Sequence, residues 1–222
     1  MSIAIEKVTA FITRSRAGVT ELLLFEHPHA GIQLPAGTVE VAESHRAAAV
    51  REAMEETGIQ QYKGTKYIGK MESELPTDQF AVTTDTKVYS RPDTTSFDWA
   101  RFLRGIRVNL QRVEGSFSQV SYEENDQLVH PNYTTYHIMG WVPTDCLTNR
   151  MVRYFYHLSV EDDGRQSWVV EVDNHHYRLF WSPIEHLPAI VTPQQAWIEY
   201  VCNELHYRFD EAAKSNPNDT AQ

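Results

Sequence analysis

Cysteine is scarce. Cys146 and Cys202 are the two in 222 residues, too few to staple a disulfide scaffold or to build a four-cysteine zinc site. They suit a reducing compartment, and the expected location is the cytoplasm. Long hydrophobic runs are lacking too. No apolar stretch approaches the roughly 20 residues a bilayer span needs. Met1-Ser2-Ile3-Ala4-Ile5-Glu6-Lys7 has no basic region leading into an apolar one, so neither a membrane anchor nor a signal peptide is expected. Positive charge falls short as well: Lys plus Arg is 20 against 30 Asp plus Glu, a formal net charge of −10. Non-specific binding to nucleic acid depends on neutralising many phosphates, which this field opposes. Glycine and proline number only 10 each, which excludes collagen-like and low-complexity chains. What is there is globular. Hydrophobic residues make up 41% and charged residues 23%, enough for one large domain.

Val8, Ala10 and Ile12 alternate with Thr9, Phe11 and Thr13, and Arg16-Ala17-Gly18 turns the chain into Leu22-Leu23-Leu24-Phe25. This predicts a β-hairpin. Residues 31–37, with Pro35 among them, read as a loop. Ser44 to Thr57 reads as a helix, with Ser44 as N-cap and Gly58 as the stop. Strands are expected near Tyr67–Gly69, Met151–Val160, Ser167–Val172 and Tyr177–Trp181. A closing helix follows Pro193, with Trp197, Val201, Leu205 and Phe209 spaced for one apolar stripe. Between about 80 and 150 the character changes. Trp99, Phe102, Leu103 and Ile106 are spaced for a short amphipathic helix, and Tyr122 to Trp141 is rich in aromatics and turn formers. This stretch reads as an insertion packed on a main domain of residues 1–212, followed by a flexible tail at 213–222. No internal repeat is evident.

One segment, Gly37 to Ile59, concentrates the chemistry. At about 100° per residue, Ala47, Val50, Ala53, Met54 and Thr57 share one arc of the helix, and Glu52, Glu55 and Glu56 crowd the opposite side. Like charges three and four residues apart repel and weaken an isolated helix. Such a cluster is tolerable in solvent, or useful where a hard divalent cation takes oxygen ligands from it. Arg51 lies four residues before Glu55 and can orient a carboxylate.

Gly37, Glu43, Arg51, Glu52, Glu55, Glu56, Gly58 and Ile59 fall at the spacings G-x5-E-x7-R-E-U-x-E-E-x-G-U, where U is a bulky apolar residue. The segment resembles the box of the Nudix hydrolases. Ala53 is the soft position, smaller than the usual Ile, Leu or Val. The resemblance implies an α/β fold, an α/β/α sandwich around a mixed β-sheet, here with an inserted segment. It implies hydrolysis of a nucleoside diphosphate linked to another moiety, with Mg²⁺ or Mn²⁺ held by Glu52, Glu55, Glu56 and the carbonyl of Gly37. Glu43 and Arg51 would support those glutamates. The chemistry fits independently: an acidic site repels a diphosphate unless a cation neutralises both, and a carboxylate can take a proton from the attacking water. Glu52 is the first choice for that base. Glu161, Asp162, Asp163, Glu171 and Asp173 are later candidates.

Leu34-Pro35-Ala36-Gly37 and Pro76 resemble members that act on ADP-ribose and nucleotide sugars. A noncanonical nucleoside triphosphate is the competitor within the class, and a non-hydrolytic nucleotide-sensing module is the rival outside it. Arg101, Arg104, Arg107 and Arg112 occur with no acidic residue from Ala100 to Val113. They suit a substrate phosphate or the interface of a homodimer. His27-Pro28-His29 and His175-His176 have neither a companion cysteine nor helical i, i+4 spacing, so they are set aside as metal ligands.

Overall fold

The structure, a computed structural model, describes residues 3–27, 30–126, 132–172 and 175–207. Phe209, Asp173, Pro28, His29 and the tail expected at 213–222 lie outside the described residues. The chain opens with β1 (Ile5–Arg16), β2 (Val19–His27), β3 (Gly31–Gln33) and β4 (Ala36–Thr38), then α1 (His45–Thr57). Next come β5 (Gly64–Glu74), β6 (Gln79–Val82), β7 (Thr86–Tyr89), β8 (Asp98–Phe102), β9 (Arg107–Glu114), β10 (Phe117–Asn125) and β11 (Thr134–Pro143). The remainder is β12 (Leu147–Thr148), β13 (Arg150–Ser159), β14 (Ser167–Val172), β15 (His175–Pro183) and α2 (Gln194–Leu205). None of the described helices is long and apolar enough to cross a membrane.

The chain divides into two compact units, one of residues 8–69 and 154–222 and one of residues 1–7 and 70–153. In the first, β1 and β2 form the expected hairpin, paired from Thr13–Leu22 to Arg16–Val19. They lie inside an eight-stranded sheet of order β14-β15-β2-β1-β13-β5, with β3 on β2 and β4 on β1. Alternation along a strand sends successive side chains to opposite faces. Along β1, Ala10 and Ile12 meet Ala53 of α1 together with Leu158 of β13. The other face of β13 carries Phe155, whose ring lies 6.3 Å from Trp197 and 5.3 Å from Tyr200 of α2. Helices therefore cover both faces, and the unit is an α/β/α sandwich.

The second unit holds an antiparallel sheet of order β12-β6-β9-β10-β11-β7-β8. Its core is Val82, Val88, Phe102, Val108, Val120, Ile138 and Val142. The helix expected at Trp99–Ile106 is absent. Residues 98–102 form β8, paired with β7 through Lys87–Arg101 and Val88–Ala100. Strand alternation splits the apolar set that helical spacing would have put on one face: Phe102 turns into the core while Trp99 stays 45% exposed. Gly105, at φ 90°, then ends the strand in a turn that side-chain-bearing residues rarely adopt. The loop expected at 31–37 is likewise corrected, because β3 and β4 occupy most of it.

One local recurrence escaped the sequence reading. Trp141-Val142-Pro143 and Trp181-Ser182-Pro183 each end a strand and lead into a 3-10 turn, with the prolines at φ −56° and −54°. An arginine lies over each tryptophan: Arg112 is 4.9 Å from the Trp141 ring and Arg14 is 4.5 Å from that of Trp181. The shared pattern is too short to register as a repeat.

Candidate active site

The candidate site is built on α1 and the strand that leads to it. Ser44 begins the helix, its hydroxyl accepting from the Ala47 N–H at 3.2 Å. Gly58 ends it at φ 71° and donates to the Met54 carbonyl, and the Trp168 indole closes the end by donating to the Thr57 carbonyl at 2.8 Å. The docking arc differs from the expected one. Ala48, Ala49, Ala53 and Thr57 are buried, whereas Ala47 is exposed. Three of the four are alanines, which bring the helix backbone close to the sheet.

That rotation changes where the glutamates point. They do not all face solvent. Glu56 turns to β4, where its Oε2 accepts from the Ala36 N–H at 2.9 Å. Glu52 is seated on Gly37 so tightly that a Cβ there would lie 1.9 Å from its carboxylate. Only Glu55, with 54% of its side chain exposed, stands in solvent.

Arg51 organises the group. Its Nε and Nη2 donate to Oε1 and Oε2 of Glu43, both at 3.0 Å. Nη2 also donates to the Thr38 carbonyl at 3.1 Å. Nη1 reaches Oε1 of Glu52 at 3.0 Å and Oε2 of Glu55 at 3.1 Å. One cation thus offsets the repulsion that would fray this helix. The hydrogen bond from Arg51 holds the Glu43 carboxyl below the usual carboxylate range, and Glu43 in turn raises the guanidinium further. Among the described residues no group of three or more His, Cys, Asp or Glu closes into a metal cage.

The later carboxylates have other partners. Glu161 pairs with Lys63, Asp162 with Arg14 and Asp163 with Arg165, while Glu171 stands on β14 opposite His176. The arginines singled out by sequence belong to the other unit. Arg101 pairs with Asp85 at 2.8 Å, and the Arg104 main-chain N–H donates to the same carboxylate at 2.9 Å. An Nη2 atom of Arg107 approaches the Met151 sulfur at 4.0 Å. Cys146 and Cys202 are free and buried, and burial pushes their thiols up to about 11 and about 12. Neither is a nucleophile at neutral pH.

The family profile of the NUDIX domain matches residues 6–137, more than half of the chain. No curated protein matches. Among solved structures the chain is similar to the NUDIX domain of Shewanella oneidensis NrtR complexed with ADP ribose, at 11% identity and TM-score 0.46, covering 92% of this chain and 90% of that one. It is also similar to a C. elegans Ap4A hydrolase in a binary complex, at 13% identity and TM-score 0.43, covering 91% of this chain and 98% of that one.

Proposed function

The chain belongs to the NUDIX domain family, and from that premise we propose that it is a metal-dependent hydrolase of the pyrophosphate linkage in a nucleoside diphosphate derivative. The observation that carries this reading is the carboxylate cluster gathered by Arg51, with Glu52 seated on Gly37. Glu52, Glu55, Glu56 and the Gly37 carbonyl would hold Mg²⁺ or Mn²⁺. The donor set fits such an ion: all are hard oxygens, and Glu52 and Glu55 already converge on one cationic nitrogen at 3.0 and 3.1 Å. Glu55, half exposed, has room to rotate inward. When bound, the ion neutralises the diphosphate, polarises a phosphoryl oxygen and lowers the pKa of the attacking water.

The protein's own residues do the rest. Glu52 takes the proton from the attacking water. Arg51 fixes the directions of Glu52 and Glu55, and Glu43 holds Arg51 in place by two parallel bonds. Glu52 is favoured as base because it stands in the carboxylate cluster that would hold the ion, whereas Glu161, Asp162 and Asp163 lie on the β13–β14 loop.

The substrate we propose is of the ADP-ribose or nucleotide-sugar type, a reading supported by Leu34-Pro35-Ala36-Gly37 and Pro76. Arg101, Arg104 and Arg107, all in the second unit, would bind an anionic group. A second copy of the chain is the competing partner for these arginines. The proposed compartment is the cytoplasm, in keeping with two free thiols.

Incubation with Mg²⁺ and a panel of nucleoside diphosphate derivatives and noncanonical triphosphates, with identification of products, tests the reading. Cleavage between the two phosphates of an ADP-ribose-like compound is expected. Saturable binding without cleavage of any compound would replace the enzyme by a sensing module. Arg104→Ala or Arg107→Ala should raise KM at unchanged molecular mass, and a change of mass would assign them to a dimer interface.

A further inference from the structure

On the face of the eight-stranded sheet that carries α1, the loop leaving that helix and the β13–β14 loop border a cavity of about 710 Å³, within the size range of small-molecule sites. Ile59, Val160, Trp181 and Tyr62 supply its apolar and aromatic wall. Charge at the rim is balanced inside the protein: Lys63 pairs with Glu161 at 2.5 Å and Arg165 with Asp163 at 2.6 Å. A lining so neutralised gives a polyanion no advantage and suits an uncharged ligand.

A second observation says what that ligand presents. Among the described residues, the buried side-chain polar atoms without a hydrogen-bond partner are Nη2 of Arg14, the hydroxyl oxygen of Tyr62 and Nε1 of Trp181. Tyr62 and Trp181 line this cavity, and Arg14 stacks on the Trp181 ring. Trp181 is 8% exposed and Arg14 is 2% exposed. The other Arg14 donors are committed, Nε to Glu21 and Nη1 to Asp162 and the Arg165 carbonyl. Thr57 is the polar neighbour of Tyr62; its hydroxyl donates to the Ala53 carbonyl and accepts from the Ile59 N–H. All three unmatched groups can donate, and buried donors in folded proteins find acceptors.

We propose that this cavity binds an uncharged heterocycle bearing carbonyl oxygens, a nucleobase of the uracil or hypoxanthine kind. The ring packs among Ile59, Tyr62 and Trp181, and its carbonyls accept from the tyrosine hydroxyl and the indole N–H. Both donors are closed off from solvent, so binding requires a rearrangement that turns them toward the cavity. None of the box carboxylates lines this cavity, although Gly58 and Ile59 at the end of the box do.

Calorimetric titration of the full chain with uridine and with inosine tests this, with adenosine as the base that lacks a carbonyl. Saturable one-to-one binding is expected, with adenosine about tenfold weaker or worse, the value of one net hydrogen bond. Tyr62→Phe removes only the hydroxyl and should weaken uridine about tenfold while melting no lower than the wild type. Trp181→Phe provides the second variant. Absence of saturable binding to the wild type would overturn the proposal. So would equal binding of adenosine, or affinity untouched by both variants. A crystal structure with ordered water only at all three donors, in the presence of uridine, would overturn it as well.

Discussion

Glu52 and Gly37 are in direct contact: a side chain of any size at position 37 would collide with the Glu52 carboxylate, since an added Cβ would lie 1.9 Å from its Oε1 and 2.3 Å from its Oε2. The glycine is therefore a seat for a carboxylate rather than a flexible joint. Gly37→Ala should displace Glu52 while leaving the sandwich folded. A misplacement of about 1 Å in a reacting group costs about 10²-fold, so kcat should fall by roughly that factor with little change in melting temperature. Single-turnover kinetics beside a thermal melt checks it; wild-type turnover would remove Glu52 from the reaction.

Arg51 holds Glu43, Glu52 and Glu55 at once. Lysine brings a point charge and no fork, so it cannot pair bidentately with Glu43 and also reach both other carboxylates. Arg51→Lys should raise the Mg²⁺ concentration needed for half-maximal rate by about 10–100-fold, the usual cost of losing a group that orients metal ligands. A metal titration of initial rates reads this directly. An unchanged titration would reduce Arg51 to a surface ion pair.

Sequence made the site legible because the box is local. Glycine, arginine and glutamates at fixed spacing sit on one loop and one helix, so the bond between Arg51 and Glu55 follows from helical i, i+4 geometry, while those to Glu43 in the preceding loop and to Glu52 do not. The hairpin was legible for a similar reason, since Ala10 and Ile12 alternate with Phe11 and Thr13. β8 was not, because Trp99, Phe102, Leu103 and Ile106 have the i, i+3, i+4, i+7 spacing of a helix, and pairing with β7 overrides it. The Arg14–Trp181 stack was also out of reach. It joins residues distant in the chain through a β2–β15 pairing that no short-range pattern encodes.

Ala53 stands where the family carries a bulky apolar residue, and it is fully buried among Ala10, Ile12, Leu23, Leu179 and Trp181. Trp181 and the partly buried Trp168 pack in the same cluster, so the space a larger side chain would need is occupied. Ala53→Leu should destabilise by about 1–3 kcal/mol through overpacking, lowering Tm by several degrees. Thermal denaturation measures it. A rise in Tm would mean that the alanine leaves a void.

A chelator should abolish activity, because Glu52, Glu55 and Glu56 repel the substrate as well as one another without a cation. Added Mg²⁺ should also raise the Tm of the wild type, since a ligand that binds only the folded state stabilises it. Glu52→Gln should lose that rise and reduce turnover by about 10²–10⁴-fold or more. Full activity after chelation would exclude the metal-dependent reading.

His157 ties stability to pH away from the box. It lies on the α2 face of β13, its Nε2 2.7 Å from the Thr13 hydroxyl. Burial, with Lys66 as the lesser cause, holds its imidazole below the ordinary value of 6.5. The folded chain therefore takes up this proton less readily than the unfolded chain. Stability from the neutral imidazole is complete above about pH 6.5 and is lost as pH falls below it, where only the unfolded state is protonated. The carboxyl of Glu43 is held below its usual range, so its own contribution disappears only at lower pH. In thermal melts between about pH 7.5 and about pH 5.5, the wild type should lose more Tm than His157→Gln, whatever the variant's absolute stability. Parallel curves would mean that the protonated imidazole is accommodated without cost, most simply by solvent reaching it beside Thr13.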